Sequence, residues 1–534
     1  MHGGSMIQRI AKVLFFSGLV CWTGVLAQEF HPDWKSLGQY RVPEWFKDAK
    51  FGIFMHWGVQ SVPAYDGWYA RDMYMQGGET YEHHLAHYGH PSKFGYKDLI
   101  PLWTADKWNP DSLVGFYKSI GAKYIVYVAV HHDNFDNYAS TFQPWNSVAM
   151  GPHKDIVKGW ADAARKYGLR FGVSSHSDRT WNWFITAHGN DSAGSLEGVP
   201  YDGALTAKDG AKTWWSGFNP QDLYCATHSN ADPPDSAYCT KWYNRTKELI
   251  DKYHPDLLYF DGPMPLQVVT GWRRSDQMKL SSAAQEEMES YGMKIAAHFY
   301  NANQSWHGEK LEAVLNLKTW LPGSVPDHSA VVMDIEKGQS DTLNADYWQT
   351  DTPLNGNWFY SPGPLDLSDT VVVQNLCDIV SKNGNLLLNV SLRADGSLPD
   401  DQKRVLVNVG QWLDINGEAI FGARTWKIFG EGPTKIQGGD FRQNRTPFTS
   451  SDIRFTKKGD TLYAIILGRP KEKAVVIHSL KRGSPVESAP ISRIEMLGNV
   501  GRLKWEMRDD GLMVTLPEII ACDYACVLRV TFTK

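Results

Sequence analysis

The chain has 534 residues, and its 54 lysines and arginines stand against 59 aspartates and glutamates, a formal net charge of −5. This length exceeds what one hydrophobic core accommodates, so at least two domains are expected. The mildly acidic balance, with no basic block along the sequence, argues against nucleic acid as a partner. Aromatic residues make up 13% of the chain, and their rings serve large cores as well as the apolar faces of sugars.

Residues 1–27 have the composition of a cleaved export signal. Basic Arg9 and Lys12 precede an apolar run at 13–26, and a small-residue cleavage pattern ends at Ala27. The run is shorter than the roughly 20 residues that a membrane span needs. We therefore expect a signal peptide, a secreted or periplasmic mature protein, and no membrane partner.

From about residue 40 to 425, short β-rich runs alternate with amphipathic helical segments, which is typical of βα units around a parallel sheet. The predicted strands are 52–56, 124–130, 170–174, 257–261, 294–299 and 331–335. The predicted helices that precede the second, third and fourth strands are 110–120, 155–167 and 239–252. Polar or acidic residues follow most of these strands, where (β/α)8 barrels carry their functional side chains. Residues 28–425 are therefore predicted to form a (β/α)8-like catalytic barrel.

Two long excursions, 185–238 and 262–290, interrupt the barrel pattern and are rich in Gly, Asp, Asn and Ser. Connections of this length are usually functional or disordered, so we interpret both as rim loops that shape a pocket. Cys225 and Cys239 flank the end of the first excursion and are candidates for a disulfide that closes a loop.

The helical pattern stops after Ala423. Strand-like runs then alternate with turn residues, at 452–455, 462–467, 474–480 and 512–516. This pattern predicts an all-β sandwich over residues 426–534.

The first candidate site residue is His56, which ends a predicted strand and is separated from Trp68 by a short loop. A single histidine after a strand is more often structural than functional. With aromatic residues around it, the imidazole is also suited to hydrogen-bond a sugar hydroxyl from the wall of a pocket.

His131 and His132 come directly after the apolar run 124–130 and beside Asp133. Paired histidines next to an aspartate suggest a metal, but neighbours on a strand point to opposite sides and do not ordinarily chelate one ion. We therefore favour imidazoles that hydrogen-bond hydroxyl groups.

Two more strands end in carboxylates. Asp261 precedes Gly262, a combination that is commonly only a turn, whereas Asp334 and Glu336 share one face by the two-residue period of a strand. Two carboxylates on separate strand ends are what glycoside hydrolysis requires. One attacks the anomeric carbon, and the other protonates the leaving oxygen and then activates water.

Five runs of the sequence strongly resemble glycoside hydrolase family 29, the retaining α-L-fucosidases. They are AKFGIFMHWG (49–58), HHDNF (131–135), PDLLYFDG (255–262), SKNGNLLLNV (381–390) and WLDINGEAI (412–420). The resemblance implies a barrel followed by a β-sandwich, with neither metal nor cofactor. It also implies hydrolysis of terminal α-L-fucosyl residues from glycans or polysaccharide fragments.

The resemblance assigns roles to individual residues. It implies Asp261 as the nucleophile and places His56, Trp68, His131 and His132 against the sugar. Phe54 and Trp358 occupy positions where the family sets aromatic rings against the C6 methyl group of fucose.

The general acid/base is less well marked, because its surroundings vary within the family. Glu336 is our choice, followed by Asp334 and then Glu312. Its carboxyl group has to be protonated near neutral pH, a state that partial burial or a nearby negative charge favours.

The sequence departs from the common family pattern at two places. Gly67 stands where many members have a glutamate, with Asp66 as a substitute, and His176 follows the third strand where common members have a tyrosine. His176 is expected to supply the missing sugar contact, as in a divergent branch of the family. α-L-Galactosidase activity therefore stays an alternative, and a non-catalytic fucose-binding protein is a weaker one because both carboxylates remain.

Overall fold

The computed structural model describes residues 28–229, 232–265, 282–318, 328–486, 489–521 and 523–533. The predicted signal peptide and most of the second excursion lie outside these residues. Within them, no helix combines the length and the apolar character that crossing a membrane requires.

Eight parallel strands of the described residues close into a barrel in sequence order, and the last pairs with the first. They are β1 (Phe51–Met55), β2 (Tyr124–Val130), β3 (Arg170–Ser175), β4 (Leu257–Phe260), β5 (Val314–Lys318), β6 (Val332–Asp334), β7 (Trp348–Pro353) and β8 (Gly384–Asn389). Every residue of β1, β2, β4, β5, β7 and β8 is buried, as expected for parallel strands covered on both faces.

The α-helices surround the barrel or lie in its loops. They are α1 (Trp34–Leu37), α2 (Glu44–Ala49), α3 (Tyr69–Asp72), α4 (Glu79–His87), α5 (Pro110–Ser119), α6 (Ile156–Tyr167), α7 (Thr180–Trp183), α8 (Pro220–Tyr224), α9 (Ser236–Tyr253), α10 (Ser282–Trp306), α11 (Asp369–Ser381) and α12 (Asp400–Asn416). Short 3₁₀ turns lie at Val59–Ser61, Tyr96–Leu102, Ser177–Arg179, Phe184–His188, Asp202–Ala204, Ala207–Gly210, His328–Ala330, Gly417–Ala419 and His478–Leu480.

Local sequence signals explain where the well-predicted helices begin and end. Asn109 caps α5 by accepting from the backbone of Ser112, and a proline takes the first helical position. Asp155 caps α6 in the same way, and Gly168 ends that helix in the left-handed conformation.

The strand predicted at 294–299 is wrong, because these residues lie inside α10. The buried apolar residues described in this helix recur at helical spacing and form one face; they are Met288, Ile295, Ala296, Ala297, Phe299 and Tyr300. A six-residue window is too short to show that period. The strand that follows α10 is β5.

A second set of strands forms the C-terminal part of the chain. They are β9 (Arg424–Glu431), β10 (Ile453–Lys458), β11 (Thr461–Ile466), β12 (Ala474–Ile477), β13 (Ile491–Met496), β14 (Trp505–Met507), β15 (Leu512–Thr515) and β16 (Cys526–Phe532). They build a five-stranded sheet of order β13-β16-β11-β10-β9 and a three-stranded sheet of order β12-β15-β14. The predicted fold class is confirmed, whereas the residue limits of the two domains stay predictions.

Buried polar contacts join the two parts. Asp378 of α11 accepts from Arg454 of β10 at 2.6 Å and from Lys382 at 2.8 Å. The indole of Trp412 donates to the carbonyl of Ala525 at 2.8 Å. Cys225 and Cys239 are free thiols, so the disulfide considered from the sequence is not formed in the structure.

Candidate active site

Asp261 follows β4 directly and lies at the carboxyl end of the barrel. One carboxylate oxygen is 3.3 Å from His132 Nε2, 3.6 Å from His176 Nδ1 and 3.9 Å from Arg179. The other is 3.8 Å from Lys318 Nζ. Burial alone would raise the pKa of Asp261, but these neighbours outweigh it and hold the pKa well below its usual range. The carboxyl group is therefore ionised while its side chain remains 18% exposed.

Glu336 lies two residues beyond the end of β6, and its side chain is 12% exposed. Its carboxylate is 3.6 Å from the same Lys318 Nζ that contacts Asp261. Burial raises the pKa of Glu336 to about 7; Lys318 opposes this rise, and the charges of Asp261 and Asp351 reinforce it. Glu336 can thus be protonated near neutral pH beside an ionised Asp261.

The two other candidates for the general acid are placed differently. Asp334 is completely buried, and its carboxylate accepts from Gln349 at 2.9 Å below the mouth of the barrel. Glu312 precedes β5 at the opposite, amino end of the barrel and pairs with Arg170 at 2.6 Å. The geometry therefore favours Glu336.

Lys318, the last residue of β5, was not among the predicted site residues, although the sequence offered it as a possible ion-pair partner of Asp334 and Glu336. Its ammonium nitrogen lies 2.8 and 2.9 Å from the two oxygens of Asp351 and 3.5 Å from Asp334. Burial would lower the pKa of Lys318, but the surrounding carboxylates raise it above its usual value. The signal that could have found Lys318 is a charged residue at the end of a largely apolar strand. The same signal marks Asp261 after β4.

Four imidazoles line one side of the pocket, each at or just beyond the carboxyl end of a barrel strand. The ring centroids of His56, His131 and His176 are 5.0 to 5.9 Å apart, and His132 lies 4.3 Å from His131. Burial lowers the pKa of His56 to about 4, and it also lowers the pKa of His131 and of His176 well below the usual value. These three rings are therefore neutral and can both donate and accept hydrogen bonds.

Side-chain amide groups orient His56 and His131. His56 Nδ1 is 2.8 Å from the amide oxygen of Asn389, and His131 Nδ1 is 2.6 Å from the amide nitrogen of Gln60. The Asn389 contact explains why the NGNLLLN run of β8 belongs to the site, although it lies more than 300 residues from His56.

His132 and His176 are held against each other. His132 donates from Nδ1 to the carbonyl oxygen of His176 at 2.9 Å, which directs its Nε2 toward Asp261. His176 Nε2 is 2.5 Å from the hydroxyl of Ser174 on β3. Because this leaves His176 Nδ1 facing Asp261, the histidine that replaces the usual tyrosine stands beside the candidate nucleophile.

The predicted aromatic residues lie at the same mouth. Trp358 is 4.9 Å from His56 and 6.5 Å from Phe54, measured between ring centroids. Trp68 packs edge-on at 5.5 Å against Trp183, which lies 4.4 Å from His132. Trp183 is a further residue that was not predicted.

Gly67 lies beside this aromatic group. A side chain added there would meet Trp358 at 3.9 Å and Phe359 at 4.0 Å, ordinary contact distances. Asp66, the expected substitute for the missing glutamate, instead accepts from the backbone of Trp68 and from Thr80, each at 3.1 Å. Its carboxylate is therefore used to shape the turn.

Two overlapping sets of side chains have the spacing of a metal site. The ligand atoms of His56, His131 and His176, and those of His132, His176 and Asp261, lie within 4.8 Å of one another. Lys318 and Arg179 already stand beside Asp261, and their charge opposes a further cation in the second set. The neutral imidazoles of the first set suit hydroxyl groups equally well.

The site thus joins an ionised carboxylate and a protonatable one at the carboxyl end of a (β/α)8 barrel, with imidazoles and indoles around them. This arrangement defines a glycoside hydrolase.

Comparisons with known proteins agree with that class. The alpha-L-fucosidase family model matches residues 22–418, and the model of the alpha-L-fucosidase C-terminal domain matches residues 443–531. Tissue alpha-L-fucosidase of Bos taurus is 29% identical over 519 residues, which cover 95% of this chain and 92% of that protein. The Homo sapiens counterpart is 27% identical, with 95% and 93% covered.

Solved structures show the same relationship. The alpha-fucosidase of Thermotoga maritima in complex with a mechanism-based inhibitor has a TM-score of 0.68 and 28% identity, covering 94% of this chain and 100% of that one. Its complex with fucose has a TM-score of 0.66 at the same identity and coverage. The chain belongs to the α-L-fucosidase family, glycoside hydrolase family 29, and its activity is that of a retaining α-L-fucosidase.

Proposed function

We propose that Asp261 is the nucleophile and Glu336 the general acid/base in the release of terminal α-L-fucosyl residues by double displacement. The observation that carries this assignment is the shared contact with Lys318. The ammonium group of Lys318 lies 3.8 Å from Asp261 and 3.6 Å from Glu336. Nevertheless, Asp261 is ionised, whereas Glu336 can be protonated near neutral pH. Two carboxyl groups in different protonation states are what the two steps need.

In the first step a carboxylate oxygen of Asp261 bonds to the anomeric carbon while the glycosidic bond breaks. The proton of Glu336 passes to the leaving oxygen. In the second step Glu336 takes a proton from water, the water oxygen attacks the anomeric carbon, and Asp261 departs. Two inversions give net retention.

The remaining side chains hold the sugar. His56, His131 and His176 are neutral donors and acceptors for its hydroxyl groups, and Phe54 with Trp358 forms an apolar wall for its C6 methyl group. Such a wall rejects an added hydroxyl only weakly. A comparison of kcat/KM for aryl α-L-fucoside and aryl α-L-galactoside therefore measures the preference, and we expect the fucoside to be favoured.

The substrates are proposed to be fucosylated oligosaccharides or polysaccharide fragments outside the cytoplasm. The signal-like composition of residues 1–27 supports export. The intact mass of the mature protein is expected to match a chain that begins at Gln28. The mass of an uncleaved chain would contradict export by signal cleavage.

The assignment of Asp261 is tested with Asp261→Ala. Removing the nucleophile is expected to lower kcat on an aryl α-L-fucoside by at least about 10³-fold. Azide should restore turnover and yield the β-L-fucosyl azide, because a small anion then attacks from the vacated side. The surface variant Asp162→Ala on α6 is the matched control. If Asp261→Ala keeps activity within a few-fold of wild type, the assignment is wrong.

A further inference from the structure

A loop of the C-terminal part, residues 438–442, reaches back to the turn that carries Glu336. Asp440 accepts from the backbone nitrogen of Glu336 at 2.7 Å, and the backbone nitrogen of Phe441 donates to the carbonyl of Glu336 at 2.7 Å. Gly439 donates to the carbonyl of Gln339 at 3.0 Å. Three hydrogen bonds therefore tie the 438–442 loop to the wall of the pocket.

The backbone of the 438–442 loop lies in direct contact with the backbone that follows Glu336. A Cβ atom added at Gly338 would lie 2.1 Å from the carbonyl oxygen of Gly439, a distance that no side chain tolerates. A glycine at this position permits the direct backbone contact. The loop is consequently part of the same wall as Glu336.

Phe441 is the residue that this loop presents to solvent. Its side chain is 62% exposed, and its backbone has a φ of 59°, in the left-handed region. That conformation is uncommon for a bulky residue and persists only where the surrounding structure imposes it, often at ligand sites. Because the ring is not buried, packing in the core does not explain it.

The proposed reaction provides a binding role for the exposed ring of Phe441. Glu336 has to protonate the oxygen of the scissile bond, so the group attached to that oxygen leaves the pocket past Glu336. The backbone nitrogen of Phe441 is hydrogen-bonded to the carbonyl of Glu336, which places Phe441 next to the residue that the leaving group passes. The carbon-bound hydrogens of a pyranose present an apolar face that a phenyl ring covers well.

We propose that Phe441 forms the binding surface for the sugar to which fucose is attached, so that the 438–442 loop completes the active site. The ligand is a pyranose residue of an oligosaccharide, bound through its apolar face. This inference rests on the proposed role of Glu336 as the general acid.

The test compares a substrate with a sugar leaving group and one without it. We measure kcat/KM for an α-L-fucosyl disaccharide and for methyl α-L-fucoside, whose leaving oxygens both need the proton of Glu336, and take the ratio of the two. Phe441→Ala is expected to lower this ratio about tenfold, as the loss of one apolar contact surface does. Phe441→Tyr keeps the aromatic face and should keep the ratio.

Phe142→Ala is the matched control, since Phe142 is another exposed phenylalanine, 41% accessible and outside the site. Its ratio should equal that of wild type. If Phe441→Ala does not fold, Phe441→Asn replaces it, because asparagine tolerates the left-handed conformation.

Two results would overturn the inference. An unchanged ratio would show that the disaccharide does not use Phe441, and equal losses on both substrates would show that Phe441 acts only through Glu336 or through folding. Failure of the proposed role of Glu336 has a different signature, a Glu336→Gln variant that keeps the alkaline limb of the wild-type pH profile of kcat/KM, and it would remove the premise of this inference.

Discussion

At the residue scale, the chemistry depends on how close the buried ammonium group of Lys318 lies to each of the carboxylates around it. Lys318 is closest to Asp351, at 2.8 Å, and farther from both Asp261 and Glu336. Asp261 has additional support from His132 and Arg179, whereas burial and the charge of Asp261 favour the neutral form of Glu336. The two protonation states therefore follow from position rather than from residue type.

The different protonation states of Asp261 and Glu336 predict the pH dependence of catalysis. Glu336 acts as an acid only when protonated, so kcat/KM should fall as the pH rises through about 7. Asp261 has to be ionised, and its depressed pKa places the acid limb well below neutrality. Glu336→Gln should abolish the alkaline limb and lower turnover of a fucosyl disaccharide by about 10²- to 10⁴-fold, with a smaller loss on an activated aryl fucoside.

Asp334→Asn is the matched control for that experiment. Asp334 is buried beneath the pocket, and the variant should keep an alkaline limb in the pH profile of kcat/KM. If Asp334→Asn removes this limb and Glu336→Gln retains it, Asp334 is the acid.

At the scale of elements, most of the strands that could be predicted are apolar runs, although β3 begins with Arg170 and ends with two serines. The prediction for β2 matches its observed bounds, whereas β5, β7 and β8 carry buried Asn, Lys, Gln, Thr or Asp and were not predicted from their pattern. The site shows the same limit. Asp261 and His131 could be found at strand ends, but Lys318 becomes meaningful only when β5 pairs with β4 and β6.

The turn after β6 carries a prediction of its own, because Asp440 fixes the backbone of Glu336. Asp440→Ala removes that acceptor and lets the acid shift, and small displacements of catalytic groups cost up to about 10²-fold in rate. We expect a lower kcat, little change in KM, and a displaced alkaline limb. Asp440→Asn keeps the acceptor oxygen and should restore most of kcat. An unaltered kcat and pH profile in Asp440→Ala would exclude this positioning role.

At the scale of the whole molecule, closure of the barrel brings distant segments into one site. His56 and Asn389 meet because β1 pairs with β8, and the 438–442 loop reaches Glu336 because the C-terminal sheets pack on α11. The sequence of this loop, which contains two glycines and Phe441, is typical of a turn and contains no local sign of its target. Its contact with the pocket could be learned only from the assembled fold.

The most direct test of the proposed mechanism locates the covalent bond. A 2-deoxy-2-fluoro-α-L-fucosyl fluoride slows both steps, but its good leaving group lets the glycosyl-enzyme form faster than it is hydrolysed. Mass spectrometry of the digested protein then identifies the modified peptide. We expect inactivation to be accompanied by one fluorofucosyl group on Asp261. The same group on any other residue, or complete inactivation with Asp261 unmodified, would contradict the mechanism.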